Sequence, residues 1–198
     1  MKATTLLTKV LVTSLLLVTI TTGASASGKK QYSKEMQSKI DSLQKILKTY
    51  EAGTATLEKN LITFDTLDYT VFSNQEWVRM HESHDKDIKV NWPDGHSTVG
   101  LDRHIEDMKA MFVYAPDTRV KVHPVRFGSA NGEWTSVIGV FEGTFTKPMP
   151  IGNGKFIQPN GKAFKLPMCT VGHWKNGVMI EEYLFWDNAT YAAQLGLK

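Results

Sequence analysis

Met168–Asp187 reads MCTVGHWKNGVMIEEYLFWD. Two runs rich in strand-forming residues flank Asn176-Gly177, the dipeptide that most strongly marks a tight hairpin. Trp186-Asp187 closes the run. Asn188 to Gly196 then reads as a short helix with Asp187 or Asn188 at its N-cap. Side chains alternate across a strand, so the loop length decides which carboxylate looks inward. A loop with an odd residue count, ending on Gly177 as a bulge, puts Thr170, Gly172, Trp174, Ile180, Glu182, Leu184 and Trp186 on one face. A plain two-residue turn puts Glu181 and Asp187 on Thr170's side instead. The odd loop is the expectation adopted here. It makes Glu182 the best-placed carboxylate and Asp187 a structural cap.

Upstream, Met36, Ile40, Leu43, Leu47 and Tyr50 recur at helical steps, with Ser33 as cap and Gly53 as the end of that helix. A second helix follows over Thr54–Asp68 with Leu57, Leu61, Phe64 and Leu67 on one face. Ser73-Asn74-Gln75-Glu76 reads as a capping box opening a third helix through Trp77, Met80 and His81. Asp87–Trp92 alternates as a strand, Pro93–His96 is a turn, and Val99–Tyr114 is an amphipathic helix with Leu101, Ile105, Met108 and Phe112 as its stripe. Thr118–Phe127 and Glu133–Thr146 read as strands joined at Asn131-Gly132, and Pro148–Gly161 as loop. Helices, one strand, a helix, then four consecutive strands predict an α+β fold. It is a cone-shaped curved antiparallel sheet with helices on its concave face and a pocket between the layers.

The chain has 198 residues. Met1–Ala26 has a lysine near its start, an apolar stretch too short to span a membrane, and a small-residue Ala-Ser-Ala end. It reads as a secretory leader, so the expectation is an exported protein, periplasmic or secreted, off the membrane after cleavage. An N-terminal helical segment is expected over 27–67 and the main domain over 68–198. The formal charge is +3, and removal of Lys2 and Lys9 leaves it near +1, which argues against a nucleic-acid partner. Cys169 is the only cysteine, so the fold carries no internal disulfide, and its apolar strand suggests a buried small hydrophobe rather than a nucleophile.

Gly143-Thr144-Phe145, Pro148-Met149, Pro159-Asn160-Gly161-Lys162, Trp174-Lys175-Asn176-Gly177, Glu181, Trp186-Asp187 and Gln194-Leu195-Gly196 stand in order along the chain. Together they resemble the SnoaL-like polyketide cyclase (ester cyclase) family of the nuclear transport factor 2-like superfamily, over roughly Asp68–Leu197. The resemblance implies the cone fold, a ligand cavity under the sheet, frequent homodimers, and an intramolecular aldol closure without metal or cofactor. It also places the family's acid/base aspartate on Leu184 and a nearby histidine on Thr170. Leu184 moves no proton, so the fold carries over more readily than the chemistry.

The remaining candidates follow from the residues. Glu182 in an apolar pocket would serve as acid or base, and His104, beside Met108 at helical spacing, as proton carrier or hydrogen-bond donor. Trp92, Met108, Phe112, Thr170, Leu184 and Trp186 are expected to line the pocket, with no cofactor or metal required. His81, His84 and His96 form a weaker zinc alternative, since their spacing matches no strong motif. Val171, Tyr183 and Phe185 on the other hairpin face suggest a homodimer through the sheet. The function expected is binding of a small apolar carbonyl-type molecule, with cyclase or isomerase chemistry. The alternative is a non-catalytic hydrophobic small-molecule carrier. No nucleophile triad, phosphate-binding glycine loop or nucleotide fingerprint is present.

Overall fold

The Asn176-Gly177 turn closes on two residues. In the computed structural model, which describes residues 26–197, Lys175 pairs with Val178, and the two turn residues have φ of 54° and 84°. Asn-Gly adopts that backbone at least cost. The ladder then slips by one residue: Trp174 faces Met179, whereas His173 faces Glu181. Ile180 is therefore the bulged residue. The expected odd loop is replaced by an even turn plus a bulge one pair further on. Either device adds one residue, so Glu182 still faces Gly172 and Leu184 still faces Thr170. Met179, not Ile180, takes the inward position between the bulge and the turn, and it is fully buried.

In chain order the elements are helix α1 (Ala26–Thr66), a π-helical turn (Leu67–Phe72), a 3-10 turn (Trp77–Glu82), β1 (His84–Asn91), β2 (Ser97–Val99), α2 (Leu101–Tyr114), β3 (Arg119–Val120), β4 (Val125–Gly128), β5 (Trp134–Thr144), β6 (Met149–Pro150), β7 (Phe156–Ile157), β8 (Ala163–Lys175), β9 (Val178–Phe185) and α3 (Asn188–Leu195). The main sheet runs β2-β1-β9-β8-β5-β3, with β4 also on β5. All of its pairs are antiparallel except β1 with β9. This is the expected α+β cone, a curved sheet with helices on its concave face. Among the described residues, those up to Lys45 form one compact unit and those from Ile46 on form another; the second holds the sheet. The leader reading falls, but for Ala26, outside the described residues. Among the described residues no helix is long and apolar enough to cross a membrane.

Several local expectations are corrected. Gly53 does not end a helix, because α1 runs unbroken from Ala26 to Thr66. Its role is contact: a Cβ there would lie 2.0 Å from the Ala130 carbonyl oxygen, so the turn between β4 and β5 rests on bare helix backbone. Buried Asn60 donates to the Gly132 carbonyl from the same helix at 2.9 Å. Ser73 forms no capping box. Its hydroxyl donates to the Asp68 carbonyl at 2.6 Å and accepts from Val120 N–H at 2.9 Å, and only the 3-10 turn follows. The predicted Thr118–Phe127 strand is split into β3 and β4, with Pro124, which lacks a ladder donor, in the gap. The Pro148–Gly161 loop contains the small β6–β7 hairpin. Cys169 is only half-buried, its Sγ 3.6 Å from Ser136 Oγ. Asp187 does cap α3, accepting from Ala189 N–H and Thr190 N–H at 2.8 and 3.2 Å.

Glycine to alanine on an exposed helix gains about 1 kcal/mol. At Gly53 the sign should reverse: the clash with Ala130 predicts a loss of about 1–3 kcal/mol, read as a lower urea midpoint at unchanged slope.

Candidate functional site

Three side chains reach one point beneath the sheet from three elements. His84 is the first residue of β1, His104 sits in the first turn of α2, and Glu182 lies on β9. All three are buried, at 2 %, 2 % and 4 % exposure. Glu182 Oε2 is 3.3 Å from His104 Nε2 and 3.9 Å from His84 Nε2. The register that brings Glu182 inward sends Glu181 outward, where it accepts from Lys89 Nζ at 2.9 Å. Gly172, opposite Glu182, leaves room on this face: a Cβ there would lie 2.6 Å from Met179 Sδ and 3.0 Å from Trp174 Nε1.

The triad borders a cavity of about 40 Å³, room for a few waters. Of the residues expected to line a pocket, Trp92, Met108, Thr170, Leu184 and Trp186 do so, as do Glu182 and His104. Phe112 does not. It lies one turn beyond Met108 and packs edge-on against Phe72 and Trp77, at 5.2 and 5.4 Å between ring centres, so it supports the wall from behind. Met80, Met111 and Met168 complete an adaptable apolar lining with Met108. Trp92 meets Trp186 edge-on at 6.4 Å and donates from its own indole to Thr98 Oγ1 at 3.0 Å. Among the described residues four buried side-chain atoms lack a hydrogen-bond partner: His84 Nε2, His104 Nδ1, Glu182 Oε2 and Trp186 Nε1. All four residues line this cavity.

Burial pushes the Glu182 carboxyl up, but the neighbouring imidazoles, His84 first among them, outweigh it and hold the group below its usual range. Burial lowers His104 to about 4, against the pull of Glu182, so its ring is neutral at ordinary pH. The pair is a carboxylate beside a neutral imidazole.

Two residues of the site were missed in the sequence. His84 was weighed only as a metal ligand with His81 and His96; the structure leaves His81 exposed, bound to the Val78 carbonyl, and places His96 in the β1–β2 turn stacked on Trp92. Asp68 was read as the end of a helix. It lies in the π-helical turn, four residues past buried Phe64, and lines the cavity. A carboxylate continuing an apolar helical stripe was the available signal. His123 bridges Asp68 and Asp65, with Nε2 2.7 Å from Asp68 Oδ2 and Nδ1 2.8 Å from Asp65 Oδ1. Asp65 in turn pairs with Arg126. Burial raises the Asp68 carboxyl despite His123. Burial lowers His123, and its two carboxylate partners outweigh that and raise it.

A family model described as SnoaL-like polyketide cyclase matches residues 65–195. A proposed polyketide cyclase from Xanthomonas campestris is similar in structure, at a TM-score of 0.61 and 15% identity over 71% of this chain and 98% of its own. A proposed SnoaL-like polyketide cyclase from Jannaschia gives 0.61 and 17% over 71% and 94%. A protein from Catenulispora acidiphila with a ketosteroid isomerase-like fold, solved with trimethylamine, gives 0.53 and 11% over 70% and 93%. At these identities the structures speak for the fold. No curated protein matches this chain.

A histidine whose folded pKa is raised contributes stability that is whole below its unfolded pKa, about 6.5, and is lost as pH rises through the folded value. His123 therefore predicts a stability that declines from near-neutral into alkaline pH. His123→Gln should flatten that decline and cost about 3–5 kcal/mol at neutral pH by stranding Asp68. Urea unfolding across that pH range reads both effects.

Proposed function

We propose that this chain, which belongs to the SnoaL-like polyketide cyclase family, binds a small, mostly apolar carbonyl compound in the cavity and moves protons on it. The family supports cyclase- or isomerase-type function; the ligand class and the residues are our reading. One observation carries it: a buried carboxylate, Glu182, with an unpartnered oxygen on an apolar cavity beside a neutral imidazole.

In this reading the carbonyl oxygen lies near His104, whose ring N–H donates to it. Glu182 Oε2 takes the proton from the carbon next to the carbonyl and returns it after the bond has moved. An enolate-like charge would develop where water is excluded, and there a single hydrogen bond counts for more than in solvent. Asp68, kept protonated more readily by burial and tied to His123, is the second cavity carboxylate. The cavity holds only a few waters as it stands, so ligand entry needs the methionine lining to re-pack.

A second reading is a carrier without turnover. It is favoured by Leu184 and Thr170, which pair with each other at the two positions where the resemblance puts the family's aspartate and histidine. We also infer export after leader cleavage near Ala26, and a homodimer through the sheet face bearing Val171, Tyr183 and Phe185. Phe185 is 52% exposed in the single chain, which supports a partner there. Phe185→Glu should shift a dimer to monomer in native mass spectrometry, and a wild-type monomer would sink the idea.

For the chemistry, Glu182→Gln is the deciding variant, assayed against a panel of apolar carbonyl compounds. An acid/base Glu182 predicts turnover reduced about 10²–10⁴-fold with ligand affinity kept. Wild-type binding with no turnover on any binder would establish the carrier instead.

A further inference from the structure

We propose that His84, His104 and Glu182 form a site for one divalent transition cation, with an open coordination position facing the cavity. The inference goes beyond the acid–base reading and rests only on the cavity being the ligand site. With a cation bound, Glu182 becomes a ligand, and Asp68 is the cavity carboxylate left to carry a proton.

The donor set comes first. Two imidazoles and one carboxylate, one ligand atom from each, lie within 4.8 Å of one another. Two imidazoles with a glutamate is a donor set of catalytic zinc centres, which keep a further position for water or substrate. Two donors each about 2.0–2.1 Å from a tetrahedral ion stand about 3.3 Å apart. His104 Nε2 and Glu182 Oε2 are already at 3.3 Å, and His84 Nε2 needs to close from 3.9 Å. The chain supplies these groups from β1, α2 and β9, so no flexible loop sets their spacing.

Hydrogen bonding around His84 points the same way. Ser83 Oγ donates its one hydrogen to the Met80 carbonyl at 3.2 Å. At 2.9 Å from His84 Nδ1 it can accept from that nitrogen, the tautomer that leaves a lone pair on Nε2 for an ion. His84 Nε2 and Glu182 Oε2 are both buried, stand 3.9 Å apart, and have no hydrogen-bond partner. Two buried polar atoms left unsatisfied are each costly. One cation between them removes both penalties. Ser83 would then be the outer partner that fixes the ligating tautomer, as in many histidine–metal sites. Nitrogen and carboxylate donors favour zinc, cobalt or iron(II) over magnesium or calcium. Bound there, the ion would act as a Lewis acid on a carbonyl oxygen entering past Trp92, Leu184 and Trp186.

The test uses the metal alone, so its outcome is independent of whether a carbonyl compound binds. Full-length protein is stripped with a chelator and titrated with Co²⁺ by absorbance, then with Zn²⁺ in competition. The proposal expects one Co²⁺ per chain, with the intense visible bands of a four- or five-coordinate ion displaced by one equivalent of Zn²⁺. His84→Gln and Glu182→Gln should weaken binding at least ~100-fold, and Ser83→Ala about 10-fold. The double variant His81→Ala/His96→Ala should bind as wild type. Circular dichroism checks each fold. If a triad variant does not fold, the melting temperature of the wild type decides, since it should rise with Zn²⁺ in step with occupancy. No stoichiometric Co²⁺ bands, an unmoved melting temperature, or binding lost only in the His81/His96 double variant would overturn the site.

Discussion

A carboxylate held out of water must find compensating charge or lose its own. Glu182 is 4% exposed, and taking such an ion from water costs several kcal/mol even after relaxation. Its neighbours on this face of the sheet, Leu184 and Met179, offer nothing polar in return. The compensation comes from elsewhere in the chain: His84 from the start of β1, His104 from the first turn of α2. Each contact exists only if the parallel β1–β9 pairing and the seating of α2 are as they are. The pairing is set where His84 faces Met179 and, after an irregularity, Lys89 faces Glu181. Backbone bonds tie the same corner together, with Met179 N–H donating to the Ser83 carbonyl at 2.8 Å and Gly100 N–H to the Ile88 carbonyl at 2.9 Å. Electrostatics under the sheet and topology within it are thus one constraint.

A second buried acid is handled differently. Asp68 is not left against an open oxygen: His123 meets it, Asp65 holds the far side of His123, and Arg126 reaches the surface beyond. His123 enters because the segment between β3 and β4 drops over Gly139, where a Cβ would stand 2.9 Å from Val120 and 3.4 Å from His123. The π-helical turn at Leu67–Phe72 aims Asp68 inward at the end of α1. One cavity acid therefore has a hydrogen-bonded route toward solvent, while the other has only ring nitrogens and empty space. That asymmetry gives the two carboxylates different chemistry despite their shared cavity, in the way that paired acids commonly divide their roles.

The outline of this arrangement was legible in the sequence, and the reasons are local. Asn176-Gly177 fixed the hairpin, the Leu101–Phe112 stripe fixed α2, and period-two alternation along β5 and β8 fixed the long central ladder. Glu182 pointed inward for a reason that survives the wrong turn, because one extra residue anywhere before it restores the phase. Other features turned on contacts far apart in sequence. Gly53 looked like a helix end because its partner, Ala130, is 77 positions away. His84 lay in a run of charged residues, and only the β1–β9 pairing shows which of them is covered. Asp68 carried a local signal, a charge on an apolar stripe, but its meaning needed His123 from the far side of the sheet.

The corner where the family resemblance places its acid and base is apolar in this chain, with Thr170 facing Leu184. Charge has not left the cavity; it has moved along the strand. Glu182 lies two residues before Leu184 on the same face of β9, and its partners come from β1 and α2 rather than from β8. A two-residue shift along a strand moves a group about 6.6 Å while keeping it on the same face. On the acid–base reading, a reacting atom would sit nearer the β1–α2 side of the cavity, under Trp92, than it would beside Leu184. The same shift brings two imidazoles onto one carboxylate, a grouping that a lone aspartate at Leu184 would not have had. The scaffold is inherited, and the chemistry available to it is set by where the uncompensated charge now lies.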